Sequence, residues 1–219
     1  MRYRCLVLDH DDTVVDSTAK IHYPAFLDAM DQMRPGVWMS LEDYFRVNFD
    51  PGFLEYMTGC LHFTDEEMER EYAIWQSWVA RIIPRAYPGM ADIIRRQKAE
   101  GGLVCVVSHS MDFNIRRDYR ANGLPEPDLV YGWEQPADQR KPSPYPLHEI
   151  RRILGLRPED MLMVDDLKPG YDMAKAAGID FAAACWAYDV PEIKAFMAKY
   201  SALHFDTPEA LGAWLFAGS

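Results

Sequence analysis

The sequence predicts an α/β fold: a mostly parallel sheet with helices on both faces, interrupted early by a long helical insertion. Three observations carry this. Short apolar runs recur at 5–8, 103–107 and 161–164, and unbroken apolar character, rather than alternation, is what a strand covered on both faces requires. Stretches with helical spacing separate them, and alternating strand and helix argues for parallel pairing through crossovers. The runs end abruptly in Asp9, Ser108 and Asp165, and open α/β sheets place their ligands at the carboxyl ends of strands.

Each element can be justified in chain order. Residues 5–8 form the first strand, and the acid-rich turn Asp9-His10-Asp11-Asp12 follows. Asp9 and Asp11, two apart, would leave extended backbone on the same side, and two close carboxylates call for a cation between them. After Ser17 the pattern turns helical to about Arg85. Ile21, Phe26, Leu27, Met30 and Met33 suit one helix face before Pro35-Gly36 stops it. Ser40 resembles a second helix start, and Pro51-Gly52 breaks that stretch. Thr64-Asp65-Glu66-Glu67 reads as a capping box. The aromatics Tyr72, Trp75 and Trp78 that follow it, spaced with Val79 and Ile82, read as packing rather than a ligand platform.

Beyond Tyr87-Pro88-Gly89 a helix through Ile93, Ile94 and Gln97 leads to the strand at 103–107. Ser110 is then expected to cap a helix ending near Asn122-Gly123. Residues 128–131 make a weak strand, and Ser143-Pro144 is expected to open a helix running to Gly155. The strand at 161–164, a helix through 174–177 stopped by Gly178, and a strand at 181–184 follow. Thr207-Pro208-Glu209 opens a terminal helix. The tail beyond about Ala187 carries no motif and is expected to be structural.

Composition narrows the function. The 219 residues are 49% hydrophobic and 26% charged, with a formal charge of −11, which suits a globular protein and disfavours a nucleic-acid partner. Residues 17–84 hold 11 acidic residues against Lys20, Arg34, Arg46, Arg70 and Arg81, a net of −6 and more than half of that charge. No apolar run of membrane-spanning length or signal-peptide pattern is present. The four cysteines are widely spaced, without a C-x-x-C pair, so a reduced, cytoplasmic protein without a membrane partner is expected.

Collected, the polar residues at strand ends are Asp9, Asp11, Ser108, Asp165 and Asp166, with Lys141 in a loop. Alone, each has an ordinary explanation as a turn, cap or solvated loop residue. Their joint occurrence at strand ends is what points to a site.

These segments resemble the four motifs of the haloacid dehalogenase (HAD)-like hydrolase superfamily, in its helical-cap branch with phosphoglycolate phosphatase-like and β-phosphoglucomutase-like members. Asp9-His10-Asp11-Asp12-Thr13-Val14-Val15-Asp16-Ser17 is similar to the first motif, Ser108 to the second and Lys141-Pro142 to the third. Val164-Asp165-Asp166-Leu167-Lys168-Pro169-Gly170 is similar to the fourth. One departure is Asp12, where the family usually has glycine; it adds a Cβ and a carboxylate to a tight turn.

The resemblance implies a Rossmann-like three-layer core at 1–16 and 86–219 and an all-helical cap domain at 17–85. It implies a phosphatase acting on a small phosphorylated metabolite through an aspartyl-phosphate. Asp9 would be the nucleophile, Asp11 the general acid and base, and Ser108, His109 and Lys141 would hold the phosphoryl group. Mg²⁺ would be held by Asp9, the Asp11 backbone carbonyl and Asp166, with Asp165 acting through a bound water. The protein would work as a monomer or homodimer. A sugar phosphomutase of the β-phosphoglucomutase kind shares every motif. It is less favoured because the cap offers one lysine, Lys20, to hold a second phosphate, with Arg46, Arg70, Arg81 and His62 as its other candidates. A non-catalytic phospho-ligand-binding or signalling protein on this scaffold would be expected to have lost Asp9, Asp11, Lys141 or Asp166, and all four are present.

Overall fold

The structure, a computed structural model, describes residues 1–218. The chain divides into two compact units, Met1–Asp16 with Arg85–Ser219, and Ser17–Pro84. Eight strands occur in chain order: β1 (Cys5–Leu8), β2 (Val15–Asp16), β3 (Arg85–Ala86), β4 (Leu103–Val107), β5 (Leu129–Tyr131), β6 (Met161–Asp165), β7 (Asp180–Ala184) and β8 (Leu203–Phe205). Six form one sheet in the order β5-β4-β1-β6-β7-β8 with every pair parallel, so β1 lies between β4 and β6. The short strands β2 and β3 pair antiparallel where the chain leaves this unit and returns, Val15 opposite Ala86.

The helical unit contains α1 (Tyr23–Met33), α2 (Leu41–Phe49), the single turn α3 (Phe53–Glu55) and α4 (Asp65–Arg81). Phe26 and Met30 of α1 pack with Tyr44 of α2, Met57 and Phe63 in one buried cluster. Ser40 caps α2, and Thr64 with Glu67 forms the capping box of α4, with the Thr64 hydroxyl accepting from Glu67 N at 3.3 Å and the Glu67 carboxylate from Thr64 N at 2.9 Å. Trp75 and Trp78 are half-buried and donate through their indole N–H groups to His22 Nδ1 at 2.9 Å and Asp28 Oδ2 at 2.8 Å. Trp75 also stacks on His22 and on Tyr72, with ring centroids 6.2 and 5.6 Å apart.

The core helices are α5 (Met90–Ala99), α6 (Asp112–Ala121), α7 (Tyr145–Leu154), α8 (Lys168–Ala177), α9 (Pro191–Tyr200) and α10 (Pro208–Leu215). Side chains alternate across a strand, and the core divides accordingly. Leu6, Leu8, Val104, Val106, Leu162 and Val164 pack with α5, α6 and α10 on one face. Cys5, Val7, Cys105, Val107, Met161 and Met163 pack with α7 and α8 on the other. This is the three-layer α/β arrangement the unbroken apolar runs require. Among the described residues no helix is long and apolar enough to cross a membrane.

Two expected caps fail. α6 starts at Asp112, with Met111 in the cap position and no side-chain cap; the Ser110 hydroxyl instead donates to Asp11. α7 starts at Tyr145 with Pro144 as its cap, and Ser143 Oγ accepts only a long bond, 3.4 Å, from Tyr145 N. The tail adds α9 and the edge strand β8, neither of which its sequence pattern announced.

Candidate active site

Parallel pairing aligns the carboxyl ends of β4, β1 and β6, and the polar residues that follow those strands meet there. Asp9 continues the β1 ladder, its amide donating to Val164 O at 2.9 Å. Lys141 reaches in from the loop before α7. Its Nζ donates to Asp9 Oδ1 at 2.7 Å and to Asp165 Oδ2 at 2.8 Å. All three are nearly closed to solvent: Lys141 is 7% exposed, Asp9 4% and Asp165 0%. Asp9, Asp165 and Asp166 each offer a carboxylate oxygen, and the three oxygens lie within 4.8 Å of one another.

One ammonium is shared among three buried acids, and the electrostatics show it. The Asp9 carboxyl is pushed up to about 7: burial raises it most, Asp165 and Asp11 add to the rise, and Lys141 opposes it. Asp166 is raised well above the ordinary carboxylate range by burial, then by Asp165 and Asp9. Burial works against the Lys141 charge, but Asp165 and Asp9 outweigh it and hold the group protonated. A buried carboxylate cluster with an excess of negative charge is the donor set a hard divalent cation takes. Asp165 has both oxygens engaged, Oδ2 by Lys141 and Oδ1 by Leu167 N at 2.8 Å. Asp9 and Asp166 each have one oxygen bonded, to Lys141 and to the Thr13 hydroxyl at 3.2 Å. Their second oxygens are therefore the better placed for direct ligation.

Asp11 lies in the turn that follows β1. β1 ends at Leu8, and the chain turns at once: Val14 N and Val15 N both donate to His10 O at 3.0 Å. Asp11 Oδ2 accepts from Ser110 Oγ at 2.6 Å and from Ser108 Oγ at 3.4 Å. Asp12 takes a left-handed conformation, φ 58°, which Asp tolerates better than most residues. Its carboxylate takes a hydrogen bond from Tyr87, so the extra acid in the glycine position is satisfied locally.

Ser108 follows β4 and is buried; its Oγ accepts Ser110 N at 3.1 Å. His109 is exposed, and its Nε2 lies 2.8 Å from the Lys141 carbonyl, so that nitrogen carries the proton. The ring thus ties the Ser108 loop to the Lys141 loop.

Several supporting residues went unread in the sequence. Thr13 orients Asp166, Ser110 orients Asp11, and the Tyr188 hydroxyl donates to Asp166 O at 2.8 Å from the tail. A Cβ on Gly170 would come within 2.1 Å of Asp165 Oδ2, so only glycine lets α8 approach that carboxylate. Inside the turn, His10 is buried with Nε2 3.2 Å from Asp118 Oδ2. His10, Thr13 and Gly170 fell inside the motif-like stretches after Leu8 and Asp165, but without a role, and Tyr188 left no trace.

A parallel α/β sheet with acids and one buried lysine gathered at its carboxyl end defines a class, in which the ligand site sits on the sheet rim rather than within the helical layers. The chain belongs to the haloacid dehalogenase-like hydrolase family, whose model matches residues 3–178. It is 30% identical over 122 residues to the phosphoglycolate phosphatase of Mesorhizobium japonicum, 56% of this chain and 54% of that protein. It is 31% identical over 131 residues to the phosphoglycolate phosphatase of Rhodospirillum rubrum, 59% of this chain and 52% of that one. The chain thus spans about half the length of these curated relatives.

The fold is similar to a haloacid dehalogenase-like family hydrolase of Streptococcus pneumoniae, with a TM-score of 0.76, 15% identity and coverage of 97% of this chain and 98% of that one. It is also similar to an Asp-to-Asn mutant of CbbY from Rhodobacter sphaeroides in complex with xylulose-1,5-bisphosphate, with a TM-score of 0.73, 19% identity and coverage of 96% of each chain.

Proposed function

We propose that this protein is a Mg²⁺-dependent phosphatase that hydrolyses a small phosphorylated metabolite through an aspartyl-phosphate on Asp9. The observation that carries the reading is the Lys141 ammonium set between Asp9 Oδ1 and Asp165 Oδ2 at 2.7 and 2.8 Å, with Asp166 in the same cluster. Asp9 is the nucleophile: one of its carboxylate oxygens attacks phosphorus and the other is left for the cation, with Lys141 beside it fixing the carboxylate's orientation. Asp11, held by Ser110 and Ser108, gives a proton to the leaving oxygen and takes one from the attacking water in the second step. Lys141 and the Ser108 hydroxyl offset charge on the phosphoryl oxygens.

Asp9, Asp166 and the Asp11 carbonyl would hold Mg²⁺, with Asp165 contributing through its second sphere. When bound, the ion relieves the repulsion between a dianionic phosphate and these carboxylates. His109 steadies the loop carrying Lys141. The inserted helical unit Ser17–Pro84 is the cap, and the thiols of Cys5 and Cys105, 3.8 Å apart and not joined by a disulfide, suit a reducing cytoplasm.

The test is a screen of metabolite phosphates with and without Mg²⁺, beside Asp9→Asn. Hydrolysis that needs the metal and falls by more than about 10³-fold in Asp9→Asn is expected, the scale on which losing a covalent nucleophile acts. Turnover that survives the substitution would overturn the assignment.

A further inference from the structure

Of the helices packed on the sheet, α7 buries Leu147 and Ile150, α8 Met173 and Ala174, and α10 Leu211 and Leu215. Helix α6 is different. Its buried positions are Asn114, Ile115, Asp118 and Tyr119, and two of these meet His10, the residue between Asp9 and Asp11. His10 Nε2 lies 3.2 Å from Asp118 Oδ2. Asp118 Oδ1 already accepts from Arg117 Nε at 2.8 Å, so the carboxylate is the acceptor and His10 Nε2 carries the proton. Tyr119 lies alongside the same imidazole, ring centroids 6.0 Å apart and planes at 25°. His10 Nδ1, the Tyr119 hydroxyl and Asn114 Oδ1 are buried without a hydrogen-bond partner among the described residues. Unpaired buried polar atoms weigh against stability, and sequences keep such departures where a site needs them.

His10 is held at both its backbone and its ring. Its carbonyl accepts from Val14 N and Val15 N at 3.0 Å, and Asp118 fixes the imidazole. Asp11, the next residue, is held by Ser110, which lies two residues before α6. One segment, Ser110 to Asp118, therefore grips two consecutive residues of the turn. The end of the same helix also braces the far side of the turn. Asn122 Nδ2 donates to Asp118 O and Asn122 Oδ1 accepts from Ala86 N, both at 2.8 Å, and Ala86 pairs with Val15. Because Asp9 and Asp11 flank His10, a shift of its backbone moves both carboxyl groups at once.

We propose that His10, fixed by Asp118, is a positioning residue: the pair sets the backbone of the turn so that Asp9 and Asp11 address the phosphoryl group together. The kinetic consequence rests on the phosphatase reading above; the clamp on the turn does not.

The test uses His10→Gln, whose amide reaches the place of the imidazole Nε2, against His10→Asn, whose amide stops short of it, and His10→Leu, which has no donor. Asp118→Asn keeps an acceptor and Asp118→Leu does not. Amide hydrogen exchange reads the clamp without turnover. In His10→Leu, His10→Asn and Asp118→Leu the Val14 and Val15 amides are expected to exchange about 10-fold faster or more, relative to those of Val106 and Met163 in the neighbouring strands. Protection returns in His10→Gln and Asp118→Asn. On a phosphate ester that the wild type hydrolyses, kcat falls about 10- to 100-fold in the three unclamped variants with KM little changed, the scale of a misplacement of about 1 Å. The double variant His10→Leu/Asp118→Leu is no slower than the slower single one. Where a leucine variant does not fold, the Gln–Asn pair at position 10 decides. Exchange that rises equally in the turn and the strands, or a kcat loss that His10→Gln shares with His10→Asn, overturns the proposal. Should the wild type hydrolyse no ester, the phosphatase reading fails, and hydrogen exchange alone decides the role of His10.

Discussion

In the α/β unit, Asp9, Asp118, Asp165 and Asp166 are each at most 4% exposed, and each carboxylate meets a donor: Lys141 for Asp9 and Asp165, His10 and Arg117 for Asp118, Thr13 for Asp166. In the helical unit, Glu71 is 7% exposed and has no hydrogen bond or ion pair among the described residues. The same residue chemistry thus has two outcomes. Burial raises Asp9 to about 7 and Asp166 well above the usual carboxylate range, but Lys141 opposes that rise and its hydrogen bond aims the Asp9 carboxylate. Glu71 rises to about 7 as well, with His22 only partly opposing, and among the described residues no donor aims it. The contrast separates acids placed for a ligand from an acid merely tolerated.

Removing the cation should abolish the contrast at the largest cost. Lys141→Met strands Asp9 and Asp165 in the core, and about 3–5 kcal/mol of stability should be lost near neutral pH in the presence of a chelator. Denaturant unfolding measures this, and the loss should shrink toward pH 5 as the stranded carboxyls take up protons. A deficit that does not change with pH would mean that the lysine acts by packing.

Glu71 gives the next largest effect, with opposite character. Its folded-state pKa of about 7 lies above the ordinary 4.5, so its contribution is full below about pH 4.5 and lost as pH rises through 7. The loss is on the order of 3 kcal/mol. In Glu71→Gln the difference from wild type should change over that window; parallel pH curves for the two proteins would show that Glu71 titrates normally.

Smaller effects sharpen the picture at the site. Gly170→Ala forces a methyl against Asp165 and should cost about 1–3 kcal/mol, as overpacking does. Asp12→Ala should cost about 1 kcal/mol, since alanine neither tolerates the left-handed backbone as well nor accepts the Tyr87 hydroxyl. Asp12→Gly should cost less, because it relieves the backbone while losing the contact. Thermal unfolding of the pair orders them, and an Asp12→Gly protein less stable than Asp12→Ala would reverse the account of that turn.

The sheet rim was legible because buried parallel strands announce themselves by unbroken apolar runs, and the first polar residue after each run marks its end. Parallel order then brings Asp9, Ser108 and Asp165 together without further information. Lys141 was legible only through its resemblance to a motif, since a loop lysine before a proline carries no local signal. What surrounds these residues was hidden because it depends on approach in space. Thr13, Tyr188 and His10 reach partners 153, 22 and 108 residues away. Ser110 misled because one hydroxyl can serve a local helix end or a distant carboxylate, and Asp11 won it. The edge strand β8 is three residues, none fully buried, so it lacked the apolar run that exposed its neighbours.

The most direct measurement is mass spectrometry of peptides from enzyme quenched in acid during turnover of a phosphate ester with Mg²⁺. One phosphoryl group on the peptide containing Asp9, labile to hydroxylamine and missing from the Asp9→Asn protein, is the predicted result. A phosphoryl group on any other residue, or continued hydrolysis by the Asp9→Asn protein, would contradict it.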